Sequence, residues 1–213
     1  MRDVPGRMVS LSVTAFLIYA VLALGWSAGQ MLVGIWLQTV VLWVLVALVA
    51  LAIAARTHWG VFLVALPLVG FVFFVTGQFV NLFGMFAWGA WSGEHGVQVR
   101  MLSFNPFRNI AHFVPRVVEV MPLWQAAVLV GLQALFVVLT LRAPGAAQAG
   151  FERLFSAFNR RVFVNHFAVL LGGALAAALG GSRAILLALL GLLLAIDLAL
   201  LLHAWRAPPA NAE

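Results

Sequence analysis

The sequence predicts an all-α fold: a polytopic integral membrane helical bundle of about six transmembrane helices plus interfacial helices, in a single domain over residues 1–213. Three observations carry this. Apolar runs of about 20 residues, the length a helix needs to cross a bilayer, recur along the chain. Only 8% of residues are charged and 65% are hydrophobic, with mean hydropathy +1.10, whereas a soluble domain carries about 25% charged residues. The charges also fall mostly between the runs, with arginine in excess on alternate loops, which is the topology signal of membrane proteins.

The first run covers 8–26 and ends at Ser27-Ala28-Gly29-Gln30. It exceeds the roughly 7–15 apolar residues of a signal-peptide core and reads as a span. The second, 31–55, continues without a charge to the break Arg56-Thr57-His58-Trp59-Gly60. The third, 61–91, is too long for one untilted span at about 1.5 Å per residue. Its Pro67 and glycines predict tilt, a kink or an extra turn in the interface. Residues 92–122 are the longest polar stretch. There Asn105-Pro106 reads as a helix start with proline first. Phe107, Ile110 and Val114, at helical spacing, predict a short helix lying on the membrane surface and broken at Pro115.

The fourth span is 123–141. Phe151, Leu154, Phe155 and Phe158 then form an i, i+3, i+4, i+7 stripe beside Glu152, Arg153, Asn159 and Arg160. That pattern predicts an amphipathic helix over 151–160, either along the cytoplasmic interface or packed on its own bundle. Spans 162–179 and 184–205 form a hairpin through Gly180-Gly181-Ser182-Arg183.

The formal charge of +6 comes from arginine alone. The arginines are scattered across short segments without a basic stripe, which argues against a nucleic-acid partner. Six spans place Arg2, Arg7, Arg56, Arg142, Arg153, Arg160, Arg161 and Arg206 on one side, and Arg100, Arg108, Arg116 and Arg183 on the other. Both termini are therefore expected in the cytoplasm. Trp26, Trp59, Trp91, Trp124 and Trp205 fall at span ends like an aromatic belt, while Trp36 and Trp43 are expected between helices. The absence of cysteine excludes disulfides, thiolate metal sites, cysteine nucleophiles and covalently attached haem. No Ser/His/Asp set, phosphate-binding glycine loop or paired-carboxylate constellation is present, so no catalytic residue or metal ligand is named and a non-enzyme is favoured.

An acidic side chain deep in a span costs about 2.5–3.5 kcal/mol on insertion scales and so needs a partner or a function. Asp197 is the one acid so placed. Counted from a turn centred between Gly181 and Ser182, His166 lies as far back as Asp197 lies forward, which puts the two at equal depth on adjacent helices. A facing pair would stabilise both charged forms. It would serve as a proton relay, a ligand site, a carboxylate-oriented histidine for a metal or haem, or a structural lock. Arg161, Asn165 and Gln38 are the candidate supporting residues. Gln38, Gln78, Asn81 and Gln133 are expected to hydrogen-bond between helices. Glu94, His95 and His112 read as loop residues, and His203 as interfacial.

These residues carry a resemblance. Leu24-Gly25-Trp26 and Ile35-Trp36-Leu37-Gln38-Thr39 are similar to a Leu-Gly-Trp turn followed by Tyr-Trp-x-Glu-Asn in a prokaryotic family of multi-pass membrane proteins, a domain of unknown function. Arg161 to His166, then Gly172-Gly173, resembles its arginine, four apolar residues, histidine and glycine pair, and Asp197 matches a late aspartate. Gln38 stands where the family has glutamate, and Leu82-Phe83-Gly84 where it has His-Tyr-Gly, so two ionisable positions are lost. The resemblance implies a membrane fold in a prokaryotic inner membrane and names no activity. The expected function is a non-enzymatic accessory or structural subunit of a membrane complex, with lipid and other membrane subunits as partners. A small proton-coupled carrier using His166 and Asp197 is the alternative, and a haem- or quinone-binding redox subunit a third. The cofactor question stays open.

Overall fold

Backbone that lies among apolar groups must satisfy its own hydrogen bonds, so uninterrupted leucine, valine and alanine runs coil into helices. The computed structural model describes residues 4–55, 59–96, 105–142, 155–156, 158–161, 163–164, 167, 170–171 and 183–206. Among them there is no strand. The helices are α1 (Val4–Ala23), α2 (Ala28–Ala55), α3 (Trp59–His95), α4 (Pro106–Phe113), α5 (Val117–Val120), α6 (Leu123–Arg142) and α7 (Arg183–Arg206), with a 3₁₀ turn at Val114–Arg116 between α4 and α5.

Among the described residues, four segments are long and apolar enough to cross a membrane: Ala28–Ile53, Phe73–His95, Leu123–Arg142 and Ala184–His203. Arg7–Ala23 is a shorter apolar helix. The run 162–179 falls mostly outside the described residues. The long third run forms one continuous helix of 37 residues with Pro67 inside it, of which the final 23 make the span-length segment.

Neighbours run in the order α3, α2, α6, α1, α7. Helix α2 packs antiparallel to α3, and the two backbones touch where the sequence supplies glycine. A Cβ on Gly29 would lie 2.4 Å from the Trp91 Cα, and one on Gly84 would lie 2.6 Å from the Trp36 ring nitrogen. Gly29 thereby admits the α3 backbone at Trp91, and Gly84 admits the Trp36 indole. Trp36 and Trp43 are buried as expected, with Trp36 Nε1 donating to the Val80 carbonyl and Trp43 Nε1 to Thr76 Oγ1.

Trp26 and Trp91 depart from the belt expectation, because both are buried. Gly25, at φ +70°, reverses the chain after α1, a conformation only glycine adopts without strain. The turn swings Trp26 inward, where its indole N–H donates to Gln125 Oε1 of α6 at 2.9 Å. Trp124 and Trp205 remain exposed.

Ser27 and Gln30 form a reciprocal cap on α2, since each backbone amide donates to the other's side chain. Glu94 adds its carboxylate to the same helix start, accepting from the Ser27 hydroxyl and the Gly29 amide. Glu94 is therefore tied to α2 instead of standing free in a loop.

Helix α4 differs most from expectation. Its start is as read: the Asn105 side chain caps the Phe107 and Arg108 amides, and Pro106 opens the helix. Its buried face, however, is Pro106, Asn109 and Phe113, not Phe107, Ile110 and Val114. Pro106 lies against Gly77 and Phe107 against Trp43, both well along their helices. Asn109 donates to Asn81 Oδ1 at 2.8 Å, Phe113 stacks on Trp88, and Gln30 at the start of α2 donates to the Val120 carbonyl. The segment thus climbs along α2 and α3 from the level of Trp43 to that of Gln30, about 20 Å at the α-helical rise. Two facing asparagines explain it. The Asn109 amide N–H finds its acceptor in the buried Asn81 carbonyl oxygen inside the bundle, which a helix lying flat on a surface would not supply.

Phe158 is fully buried and lies 6.2 Å from Phe155, while Asn159 and Arg160 are exposed. This is the arrangement of the packed alternative for the amphipathic segment. Phe151 and Leu154 lie outside the described residues.

Candidate functional site

Helix α1 carries one line of polar residues that faces a neighbouring helix. Arg7, Ser10 and Thr14, at spacings of three and four, share one face. That face meets α7, and the two polar positions it finds there are Asp197 and the Leu200 carbonyl. Thr14 Oγ1 donates to Asp197 Oδ2 at 2.7 Å and Ser10 Oγ to Asp197 Oδ1 at 3.0 Å. Arg7 Nη1 donates to the Leu200 carbonyl at 2.7 Å.

Arg161 completes the cluster. Its Nη1 hydrogen-bonds the Ser10 hydroxyl and stands 3.6 Å from Asp197 Oδ1. The two side chains are 14% and 13% exposed, so the ion pair is largely withdrawn from solvent. A guanidinium suits this place because it stays charged and carries several donors in a fixed plane. Both carboxyl oxygens of Asp197 are engaged, which satisfies an acid that would otherwise be costly among apolar helices. The arrangement fastens α1, α7 and the helical residues around Arg161 to each other.

Of the residues singled out from sequence, Asp197 and Arg161 are brought together here. Gln38 is not, because it points between α2 and α6, where Gln133 Nε2 lies 3.4 Å from its Oε1. His166 and Asn165 lie outside the described residues, as does the expected approach of His166 to Asp197. Sequence reasoning missed Arg7, Ser10 and Thr14, although their spacing in an apolar helix was a readable signal. Among the described residues, His95, His112 and His203 stand apart from the cluster. His95 stacks on Trp91 and contacts its carbonyl, His112 packs beside Phe113, and His203 is exposed near the end of α7. Among the described residues no three His, Cys, Asp or Glu side chains converge as a metal site.

The profile of one family matches residues 2–213, and so covers the aromatic seam and the ion pair alike. The chain belongs to DUF6498, a family of unknown function. The expectation of an uncharacterised family agrees with this. No curated protein and no solved structure matches the chain.

Proposed function

We propose that this DUF6498 chain is a protein of the prokaryotic inner membrane that crosses it six times with both termini in the cytoplasm, and that it serves as a non-enzymatic structural subunit of a membrane complex. The observation that carries the reading is Asp197. Its two oxygens are held by Thr14, Ser10 and Arg161, which suits a lock between helices. The outer face of α3 adds support, with Phe71, Phe79, Leu82 and Phe86 all exposed within this chain.

Topology is tested with reporter fusions at both ends, where termini on opposite sides would contradict six spans. The subunit role is tested with single cysteines, since the chain has none of its own. Phe79→Cys should cross-link in membranes to one stoichiometric partner, while the purified chain in liposomes carries no proton flux. Flux abolished by Asp197→Asn in a well-folded variant would contradict the structural role.

That result belongs to the second reading, a proton-coupled carrier. One observation favours it. Helix α4 starts beside Trp43 and Gly77, and interrupted helices that begin deep in a bundle are where transporters build their sites.

A further inference from the structure

Arg160 and Arg161 are consecutive yet face different ways, because adjacent helical residues are turned by about 100°. Arg161 is drawn inward to Asp197. Arg160 is exposed, and no hydrogen bond or ion pair engages it among the described residues. Helical spacings of three, four and seven residues carry the face of Arg160 to Phe163, Val164 and Phe167. These side chains, with Leu189, Leu192 and Ile196 of α7, line a groove of about 150 Å³ that is open on one side.

The groove is apolar along its length, and Phe163, Phe167 and Leu192 are half or more exposed at its rim. An apolar trough that leads along the helix to an exposed guanidinium has the polarity of a phospholipid: chain below, phosphate above. An apolar transmembrane helix would fill the trough but bring no anion to Arg160. We propose that this groove is a binding site for an anionic phospholipid of the cytoplasmic leaflet, with an acyl chain between the Phe163–Phe167 face and α7 and the headgroup phosphate on Arg160. The assignment rests on the membrane reading above. Membrane integration is checked separately by resistance to alkaline extraction, so either can fail without the other.

The test uses the full chain purified in mild detergent and incubated with equal amounts of dioleoyl phosphatidylglycerol and dioleoyl phosphatidylcholine. Retained lipids are counted by native mass spectrometry. One arginine near a membrane surface favours an anionic lipid by about fivefold, and that excess of phosphatidylglycerol is the expected result. Arg160→Gln should bring the ratio close to one, and Leu192→Trp, which narrows the groove at an exposed position, should lower retention of both lipids. Equal retention by the unaltered chain, an excess unchanged in Arg160→Gln, retention unaffected by Leu192→Trp, or a stoichiometric protein bound with no lipid would each overturn the proposal.

Discussion

Helices α2 and α7 are almost equally apolar, with mean hydropathy 2.5 and 2.9 over their span-length segments, yet 67% of the first is buried within the chain and only 22% of the second. The difference lies in what interrupts the leucines. Helix α2 carries Gly29, Trp36, Gln38, Thr39 and Trp43, each buried and each a shape or hydrogen bond that a neighbour must match. Helix α7 is mainly leucine and alanine, and what specifies its placement is Asp197. One side of the molecule is held by shape and the other by a charge. Hydropathy identifies a span, but minority residues decide what it touches.

Substitutions can break this contrast, and the largest effect belongs to the aromatic seam. Trp36→Ala removes a ring packed against Trp88 and Phe113 and should cost about 3–5 kcal/mol, the range for large aromatic truncations in a core. Leu192→Ala on the exposed face of α7 should stay within about 0.5 kcal/mol. Unfolding of both variants in the same detergent compares them, and similar losses would erase the distinction between the two helices.

The charge-held side comes next. Asp197→Leu leaves Arg161 buried without its carboxylate and should destabilise by roughly 3 kcal/mol. Asp197→Asn should cost less, because an amide can still bond to Thr14 and Ser10. Equal losses would mean that the hydroxyl contacts contribute nothing.

The asparagine contact between α3 and α4 should matter less. Asn109→Leu strands Asn81 in a buried setting at a cost of about 1–2 kcal/mol, and adding Asn81→Leu should restore part of it. A fully additive double variant would place the two amides apart. Among the paired contacts, the smallest effect is expected at the long Gln38–Gln133 contact. Replacing both by leucine should change stability by no more than about 0.6 kcal/mol, the average for hydrogen bonds between membrane helices.

The described helices were legible where local composition decides, as in a long apolar run or the proline start at Pro106, whereas the cap that Ser27 and Gln30 form was not read. Trp36 and Trp43 were legible as buried because an indole in the middle of an apolar run has no interface to reach. The placement of α4 was not. The stripe Phe107, Ile110 and Val114 ranks residues by hydropathy, whereas the helix turned to pair Asn109 with Asn81, a contact between positions 28 residues apart. The inward turn of Trp26 was hidden for the same reason, since Gln125 is remote in sequence. At the candidate site, Asp197 was recognisable from the cost of a charge near lipid, and Arg161 was named only as a supporting residue. Equal depth along a hairpin pointed to His166, which lies outside the described residues, and it gave no sign of the third helix bearing Ser10 and Thr14.

The Arg161–Asp197 pair fastens the α1–α7 side. A double-mutant cycle with Arg161→Leu and Asp197→Leu, read as unfolding free energy in mild detergent, tests this most directly. The double variant should be more stable than the sum of the single losses by more than about 1 kcal/mol, beyond the scatter of independent sites. Losses that add to within about 0.5 kcal/mol would mean that the two charges do not interact and that α7 is held by something else.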